Sequence, residues 1–310
     1  MSGILALTGA TGKKSGGVLA EYLADNLKEV EKAFPGGIRA LVRKTSDTTH
    51  LKKLIPSLQL CTGSLDDPEF LKQSFEGVDT VIHIAGIHYS SKITDAAVAC
   101  NVRRLIFVHT TGIYSKFKAA GEEYRRIDSY VSEVCLQNNI KLTICRPTMI
   151  YGNEYDNNVT SFIKMVDRFP LMPVVNGARY ELQPVHYKDL GKAYYDILMN
   201  EETTANKNFN LSGKNPIMLR DMLSIIGKNL GKKTRFISCP FAIAYAGACL
   251  SYRLPFIKRD YREKVQRLCE PRVYSHEEAT SAFGYDPVSF EEGVVEEVKE
   301  YLKRKQSAGS

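Results

Sequence analysis

The seven cysteines of this 310-residue chain lack the pairing that metal sites and disulfide frameworks need. They are scattered singly, their number is odd, and no C-x-x-C pair occurs. Closely spaced cysteine pairs mark zinc sites, and an even set in a short secreted chain marks a disulfide framework. We therefore predict no metal site, and we expect most of the cysteines to be small buried hydrophobes in a reducing compartment.

Long apolar runs and targeting segments are also lacking. The longest apolar stretch, from Phe241 to Leu250, is far short of the roughly 20 residues that a membrane-spanning helix needs. The opening residues, MSGILALTG, lack the charged and apolar regions of a signal peptide. We therefore expect no membrane span and a cytoplasmic location, with the 241–250 stretch forming a buried helix or one that faces a partner.

Positive charge is only mildly in excess over negative charge. The chain has 42 Lys and Arg against 35 Asp and Glu, which gives a net charge of +7. No segment rich in both arginine and aromatic residues, as nucleic-acid binding would favour, occurs. The charges are therefore interpreted as a solvated surface with no nucleic-acid partner, and an anionic cofactor would account for part of the excess.

The segment LTGATGKKSGG at 7–17 sets glycines beside two lysines, and two phosphate-binding motifs compete for it. A P-loop needs G-x-x-x-x-G-K-[ST], but leucine and lysine stand where its first glycine and its hydroxyl belong. A dinucleotide-binding turn fits better, because Gly9 and Gly12 are in place, although Ser15 occupies the third glycine position. A plain structural turn remains the alternative.

Short apolar runs alternate with helical patterns through the first half of the chain. The predicted strands are 4–7, 38–42, 58–61, 80–84, 105–108 and 142–145, with helices near 68–75, 92–100 and 119–138. Continuous apolar strands separated by helices indicate a parallel sheet that is covered on both faces. Since crossover connections are right-handed, we predict an α/β fold with a doubly wound parallel sheet.

This context favours a dinucleotide at the glycine turn. Gly9 permits the tight turn, and Gly12 lets backbone N–H groups approach a pyrophosphate at a helix N-terminus. The second strand ends in Arg43 and Lys44, not in the acidic residue that would hold the ribose of NAD. An arginine can hold a 2′-phosphate through two charge-assisted bonds, and Lys13 adds positive potential. We therefore predict NADP rather than NAD, with a solvated strand end as the alternative for Arg43.

Eight motifs carry a resemblance to a known family. In chain order they are TGATG, RALVRK, GVDTVIHIAG, RRLIFVHTTGIY, TICRPTMIYG, LQPVHYKDLGKAYYDIL, NFNLSGKNPIMLRDML and AFGYDPVSFEEGV. Over nearly its whole length the chain resembles the short-chain dehydrogenase/reductase superfamily, in its extended and atypical branch, the NAD-dependent epimerase/dehydratase family. The resemblance implies a Rossmann domain at 1–151 and a smaller C-terminal α/β substrate lobe at 152–310, with part of 183–212 returning to the Rossmann sheet.

The resemblance also implies cofactor contacts at the ends of successive strands. The pyrophosphate would be surrounded by Thr8, Gly9, Thr11 and Gly12, and the adenosine ribose would meet Arg43. The adenine would be flanked by Ser64 and Leu65. The rest of the cofactor would be lined by Ile84, Ala85 and Gly86, and the residues from Pro147 to Ile150, including Met149, would pack near the nicotinamide. Relatives usually carry an acidic residue where Ser64 stands. The alternative for Ala85-Gly86 and for Pro147 is that they simply end strands.

The catalytic residues depart from the family pattern. Active relatives carry a Ser or Thr and a Tyr-x-x-x-Lys, and the resemblance assigns the hydroxyl to Thr110, with Thr111 a close second. Tyr124 is the best tyrosine, ahead of Tyr130, but Asp128 stands where its lysine belongs. An unassisted tyrosine titrates near pH 10, and a carboxylate one turn away would raise its pKa further. Tyr124 is thus either the catalytic acid–base or a partly exposed helix residue.

The second half of the chain also departs from the family pattern. Family members that bind UDP-sugars often carry an arginine where Leu182 stands, and Arg179 lies three residues too early. We expect His186 to be a packed histidine, and not a base, and Asp189 to cap the following helix. The short segment between 84 and 105 resembles atypical members, including nitrogen-metabolite-repression regulators and isoflavone-reductase-like enzymes. The 168–190 stretch resembles relatives of the accessory Rossmann subunit of respiratory complex I.

Two functions from different classes remain. The first is an enzyme that passes hydride between NADP and a small carbonyl or sugar-like substrate, as an oxidoreductase or an isomerase, with Thr110 and Tyr124 at the substrate oxygen. The second is a catalytically degenerate NADP-binding module with a regulatory or structural role. The missing lysine and Leu182 favour the second, whereas the retained Thr110 and the complete substrate lobe lead us to favour the first.

The predicted pocket lies at the C-terminal ends of the strands. Its walls would be the 9–12 turn, the 85–90 loop, Thr110 and residues 147–152, with Tyr89, Met149 and Phe162 on its apolar side. In many relatives the helices near 92–100 and 119–138 form a dimer interface, so a homodimer is possible. Core packing explains the apolar stripe of Val131, Val134 and Cys135 equally well.

Overall fold

The computed structural model describes residues 3–117, 119–252 and 260–308. The strands are β1 (Ile4–Thr8), β2 (Ile38–Val42), β3 (Gln59–Thr62), β4 (Val78–His83), β5 (Arg104–Val108), β6 (Lys141–Pro147), β7 (Ile150–Tyr151), β8 (Leu171–Val175), β9 (Glu181–Leu182), β10 (Val185–His186), β11 (Asn208–Leu211), β12 (Ile217–Met218) and β13 (Arg235–Cys239). The six predicted strands all form, each within two residues of its predicted bounds.

Helices connect and cover these strands. They are α1 (Ser15–Asp25), α2 (Leu27–Ala33), α3 (Thr49–Leu54), α4 (Pro68–Phe75), α5 (Ser90–Ala99), α6 (Gly121–Gln137), α7 (Val159–Arg168), α8 (Tyr187–Met199), α9 (Glu201–Thr204), α10 (Leu219–Asn229), α11 (Phe241–Tyr252), α12 (Arg262–Leu268), α13 (Glu277–Phe283) and α14 (Phe290–Ala308). Short 3₁₀ turns occur at Ile87–Tyr89, Thr111–Tyr114 and Asn176–Ala178.

Seven parallel strands form the central sheet, in the order β11-β6-β5-β4-β1-β2-β3. From β1 the chain first builds outward through β2 and β3, and it then returns to add β4, β5 and β6 on the other side. The strand order therefore reverses between β1 and β4, and a crevice opens at the carboxyl ends of the strands at such a point. This arrangement confirms the predicted doubly wound parallel fold.

Two helical layers bury the two faces of the sheet. Successive side chains of a strand point to opposite faces, so Leu5 and Leu7 pack under α1 and α8, while Ala6 packs on the side of α4, α5 and α6. Val131 and Cys135 of α6 are buried in this second layer. Core packing therefore accounts for these two residues of the apolar stripe, and a homodimer remains a prediction.

The second half of the chain contributes to both parts of the molecule. The smaller lobe packs α7, α10 and α14 around a core of its own, beside the parallel pair β8–β13. The intervening segment leaves that lobe, because α8 packs against α1 and β11 pairs with β6 as the seventh strand. A Cβ at Gly191 of α8 would collide with Val18 of α1, so glycine allows these two helices their close approach. The domain boundary at 151 stays a prediction.

A buried arginine fastens α8 to the sheet. Arg104, at the start of β5, is almost wholly enclosed, and its guanidinium donates to the carbonyl oxygens of Leu198 and Ile197 and to the Thr204 hydroxyl. The last carbonyl groups of a helix have no partner within the helix, so this side chain satisfies two of them from the sheet. Burial lowers the pKa of Arg104 to about 10, which still leaves it charged at neutral pH.

Candidate functional site

A cavity of about 960 Å³ lies at the carboxyl ends of the central strands, where the strand order reverses. Most of the predicted site residues line it: Gly9, Thr11, Gly12, Lys13, Arg43, Ser64, Leu65, Ile84, Ala85, Gly86, Thr110, Tyr124, Pro147 and Met149. Tyr89 also lines the cavity. Thr8, Lys44 and Phe162 do not, so the prediction that Phe162 lines the apolar side of the cavity is wrong, while the cofactor contacts of Thr8 and Lys44 stay predictions.

The glycine turn closes tightly between β1 and α1. Gly9 has a φ of 80°, which favours glycine, and the Gly12 N–H donates to the Gly9 carbonyl oxygen across 3.0 Å. A Cβ at Gly16 would collide with that same carbonyl oxygen. Gly16, and not the expected Ser15, therefore provides the close contact between helix and strand, and it leaves a cradle that a pyrophosphate fits.

The Thr8 hydroxyl is engaged below the turn. The His83 Nε2–H donates to the carbonyl oxygen of Gly86 across 2.9 Å, which leaves Nδ1 to accept from the Thr8 hydroxyl at 2.7 Å. Burial lowers the pKa of His83 to about 4, so the ring stays neutral and keeps both bonds. Thr8 and His83 thus fix the end of β4 against the end of β1 beneath the glycine turn.

The end of the cavity that Arg43 lines can accept an anion. The Arg43 side chain lines the cavity and forms no hydrogen bond or ion pair with the part of the chain that the structure describes. Asp47, the nearest acidic residue along the chain, accepts the backbone N–H of Thr49 at 2.9 Å, and this bond lowers its pKa. The Arg43 guanidinium is therefore available to a phosphate.

Two threonines at the end of β5 have different roles. Thr110 lines the cavity, and its hydroxyl accepts the Gly112 N–H at 3.0 Å. Thr111 is buried, and its hydroxyl donates to the Pro147 carbonyl oxygen at 3.1 Å. Both threonines line the cavity, but the Thr111 hydroxyl is engaged in linking the end of β5 to β6.

Asp128, one turn after Tyr124, points away from the tyrosine. Its carboxylate accepts the His109 Nδ1–H at 2.8 Å and the Arg146 guanidinium at 2.6 Å. Burial opposes ionisation of Asp128, but these two partners outweigh it and lower its pKa. His109 in turn accepts the Ser90 hydroxyl through Nε2 at 3.0 Å, and burial lowers its pKa. The aspartate thus joins α6 to β6 inside the fold.

Tyr124 lines the cavity without a cationic partner one turn along α6. Its pKa is raised, as expected, but burial is the largest cause and the Glu123 carboxylate the second. The expectation that Asp128 would be the cause is wrong, because both oxygens of that carboxylate are bonded inward. At neutral pH the Tyr124 phenol is therefore protonated and can act as a hydrogen-bond donor.

A histidine beside Tyr124 went unnoticed in the sequence. His88 lies in the 3₁₀ turn after β4 and lines the cavity, and its ring centroid is 5.6 Å from that of Tyr124. The His88 Nδ1–H donates to the Glu123 carboxylate at 2.8 Å. Its Nε2 has no hydrogen-bond partner among the described residues. The only signal in the sequence was a histidine within the predicted 85–90 loop.

The far end of the cavity is lined by two arginines that sequence reasoning also missed. Arg267 comes from α12, and Arg272 follows on a short bridge beside Leu182. Their Nε atoms are buried and have no hydrogen-bond partner within the described parts of the chain. The pKa of Arg272 is lowered to about 10, chiefly by burial and to a smaller extent by the charge of Arg267. Arg179, which lies three residues before the position of the missing arginine, does not line the cavity.

The loop after β7 joins the glycine turn to the C-terminal helix. Asn153 donates to the Lys13 carbonyl oxygen at 2.7 Å, and the Lys13 ammonium donates to the Tyr155 hydroxyl at 2.9 Å. Tyr155 and Lys13 both line the cavity. The loop therefore forms part of the wall around the cofactor cradle.

A buried pair of carboxyl groups anchors this loop. Glu297 of α14 accepts the Gly152 N–H at 3.0 Å and the Thr160 hydroxyl at 2.7 Å. Asp156 accepts the N–H groups at the start of α7, including that of Val159 at 2.8 Å. Burial and the neighbouring Asp156 raise the pKa of Glu297 to about 9. Glu297 is thus protonated at neutral pH, and the two groups share one negative charge.

His186 and Asp189 complete the predicted residues. His186 is buried between the rings of Tyr151 and Tyr187, and burial lowers its pKa to about 4, in agreement with a packed histidine. Asp189 does not cap α8: the helix begins two residues earlier, at Tyr187, and the Asp189 carboxylate accepts the Val288 N–H at 3.0 Å. That bond holds the segment before α14 against α8.

No helix within the described residues has the length and apolar character that crossing a bilayer requires.

Comparisons with known proteins agree with this geometry. A model of the NmrA-like family matches residues 1–265. The chain is 23% identical over 277 residues to the mitochondrial NADH dehydrogenase [ubiquinone] 1 alpha subcomplex subunit 9 of Arabidopsis thaliana, across 80% of this chain and 63% of that protein. It therefore spans less than two thirds of the length of the curated relatives that it matches.

Two solved structures show the same fold over almost the whole chain. A nucleoside-diphosphate-sugar epimerase from Pseudomonas aeruginosa superposes with a TM-score of 0.73 at 14% identity, over 98% of this chain and 99% of its own. An NADPH-dependent quinone oxidoreductase from Escherichia coli, complexed with NADPH, gives 0.70 at 16% identity, over 96% and 99%. Identities this low establish the fold and leave the reaction open.

Proposed function

Because the chain belongs to the NmrA-like family, we propose that it binds NADP(H) in this cavity and acts as an oxidoreductase or isomerase on a small carbonyl or sugar-like substrate. The observation that carries the proposal is the Arg43 guanidinium, which has no hydrogen-bond or ion-pair partner among the described residues and lies in the same cavity as the glycine cradle, Thr110 and Tyr124. These groups would meet successive parts of a bound dinucleotide and of its substrate, from the 2′-phosphate at Arg43 to the substrate oxygen at Tyr124.

The choice of NADP rests on charge. Arg43 stands where a carboxylate would repel a 2′-phosphate and bind a bare ribose, and the nearest acid, Asp47, is bonded to its own loop. Lys13 and Lys14 also line the cavity. Hydrogen bonds to charged groups contribute about 1.5–3 kcal/mol each, so we expect NADPH to bind at least about tenfold more tightly than NADH.

A titration of both dinucleotides tests this choice. We expect Arg43→Ala to remove most of the preference for NADPH and to change the affinity for NADH little. Lys44→Ala is the matched control, because Lys44 carries the same charge one residue further on and does not line the cavity. Equal affinities of the wild type for the two dinucleotides, or a preference that Arg43→Ala leaves intact, would refute the assignment.

The residues around Thr110 and Tyr124 support the transfer of a hydride to a carbonyl group. Bound NADPH would supply a hydride. The Thr110 hydroxyl and the protonated Tyr124 phenol line the same wall and would hold the substrate oxygen. Tyr124 would donate its proton to that oxygen, and His88, held by Glu123 and in contact with the Tyr124 ring, would pass a proton from solvent to the resulting phenolate. This route would not require the family lysine, which is absent here.

The far end supports an anionic substrate. Arg267 and Arg272 line the cavity beyond Tyr124 and leave buried N–H groups without partners in the described chain. A buried donor without a partner costs about 1–3 kcal/mol, and a carboxylate or phosphate on the substrate would recover that cost. We therefore propose a carbonyl or sugar-like substrate that carries a negative charge.

One observation favours the alternative, a catalytically degenerate NADP-binding module with a regulatory or structural role. Asp128 occupies the position of the family lysine and is committed to His109 and Arg146, so no cation on that turn lowers the Tyr124 pKa. Absorbance at 340 nm, measured with NADPH and a panel of charged and uncharged carbonyl compounds, separates the two. Consumption of NADPH supports the enzyme, and tight NADPH binding without consumption across the panel supports the module.

A further inference from the structure

We propose that the apolar ridge, the surface formed by β13 and α11 over residues 235–252, docks this protein on an anionic lipid bilayer. The proposal does not depend on the function of the cavity, because it rests on exposed apolar side chains and on the charge of the surrounding chain. It concerns adsorption to one face of a membrane, and not a membrane span.

The ridge exposes apolar side chains that a surface helix ordinarily buries. Of the twelve residues of α11, only Ala248 is buried. Ile243 and Leu250 are each 64% exposed, and Tyr252 is 54% exposed. Ile237 of the adjoining strand is 53% exposed. Clustered exposed apolar residues mark interaction sites, whereas single ones are common on any surface.

The segment of sequence that contains the ridge is basic, although Asp167 pairs with Lys232 and Asp260 pairs with Arg262 at its borders. Residues 222–259 contain seven Lys and Arg and not one Asp or Glu. Lys233 and Arg235 are exposed and form no ion pair with the described residues. Each Lys or Arg near an anionic membrane surface strengthens binding there, so the charge of this region matches acidic lipid.

The same charge disfavours a second copy of the chain as the occupant. A two-fold contact brings the same patch of both copies together, and two ridges would then set the same basic residues face to face. An acidic lipid surface neutralises those residues, and its acyl chains accept the apolar side chains. The lipid is therefore the occupant that satisfies both properties of the ridge.

The length of α11 fixes how it would lie. Its twelve residues extend about 18 Å at 1.5 Å per residue, which is too short for a hydrocarbon core of about 30 Å. A helix this short would lie in the plane of the interface, with its exposed apolar side chains among the upper acyl chains. Because α11 itself has no charged residue, Lys233 and Arg235 would supply the contact with the lipid headgroups. Since α12 packs against α11 and carries Arg267 into the cavity wall, the anion-binding end of the cavity would face the lipid side.

Co-sedimentation with vesicles tests the proposal. We expect the wild type to pellet with vesicles of phosphatidylcholine and phosphatidylglycerol, and to remain in the supernatant with phosphatidylcholine alone. Ile243→Glu with Leu250→Glu should abolish pelleting, and Lys233→Glu with Arg235→Glu should weaken partitioning at least about tenfold. Leu136→Glu is the matched control, because Leu136 of α6 is 79% exposed and lies outside the ridge. Circular dichroism establishes that each variant is folded.

Three results would overturn the proposal. The first is a wild type that stays in solution with both kinds of vesicle. The second is a double variant, Ile243→Glu with Leu250→Glu, that pellets as well as the wild type. The third is self-association, seen in sedimentation velocity without vesicle binding and abolished by the same double variant, which would assign the ridge to a second copy of the chain.

Discussion

Replacing Glu297 by glutamine should change how the stability of this protein depends on pH. Burial and the Asp156 carboxyl raise the pKa of Glu297 to about 9, whereas a glutamate in an unfolded chain titrates near 4.3. Between about pH 5 and pH 9 the native state therefore binds one proton more than the unfolded state. Stability falls with rising pH wherever the native state binds more protons than the unfolded state. The free energy of unfolding should therefore decrease by about 1.4 kcal/mol for each unit that the pH rises within this range because of Glu297.

Glutamine removes the titration and keeps the contact with Gly152, while the Thr160 hydroxyl, which now donates to Glu297, can donate to Asp156 instead. The glutamine carbonyl oxygen can accept the Gly152 N–H, as Glu297 does at 3.0 Å, and its amide N–H can donate to Asp156 in place of the shared proton. From about pH 6 to pH 8 the wild type should lose up to about 2.8 kcal/mol that Glu297→Gln retains. Since the chain has no tryptophan, urea unfolding followed by far-UV circular dichroism is the suitable assay.

The matched control is the neighbouring glutamate. Glu296 is exposed to solvent and bonded to Lys188, and that bond lowers its pKa. It is therefore ionised in both states above about pH 6, and Glu296→Gln should leave the slope unchanged. A wild type whose stability is flat across this range, or a Glu297→Gln variant that keeps the wild-type slope, would refute the reasoning.

Two further predictions concern the catalytic wall. Tyr124→Phe should lower turnover at least about 100-fold, the usual scale for a general acid–base, with the NADPH dissociation constant nearly unchanged; equal rates would remove Tyr124 from the mechanism. Asp128→Lys restores the family lysine in sequence, but it also sets a cation beside Arg146 and removes the acceptor of His109. We expect it to lower stability by about 3–5 kcal/mol, measured by urea unfolding, and a fully stable variant with faster turnover would contradict that account.

The cofactor side of the cavity could be predicted because it depends on local pattern. Buried parallel strands read as continuous apolar runs, and their carboxyl ends meet at one edge of the sheet. The positions of Gly9, Arg43, Ala85 and Thr110 follow from those two facts. The same reasoning could not find the partner of the Thr8 hydroxyl, because His83 lies 75 residues away in sequence.

The catalytic and substrate ends could not be predicted in the same way. Helical spacing sets Asp128 one turn from Tyr124, but the direction of its carboxylate is decided by His109, which follows β5, and by Arg146 of β6. Arg272 reaches the cavity because its segment bridges to Leu182, a pairing between distant parts of the chain that no local pattern encodes.

The return of α8 and β11 to the central sheet limits how this molecule can be recombined. A graft of a new substrate lobe at residue 151 would also replace the helix that packs on α1, the seventh strand beside β6 and the carbonyl groups that Arg104 binds. The foreign helix would need its own glycine opposite Val18. Exchange of the C-terminal lobe alone therefore requires two grafts, one before and one after the 187–211 segment, because a single crossover also replaces the seventh strand and its covering helix.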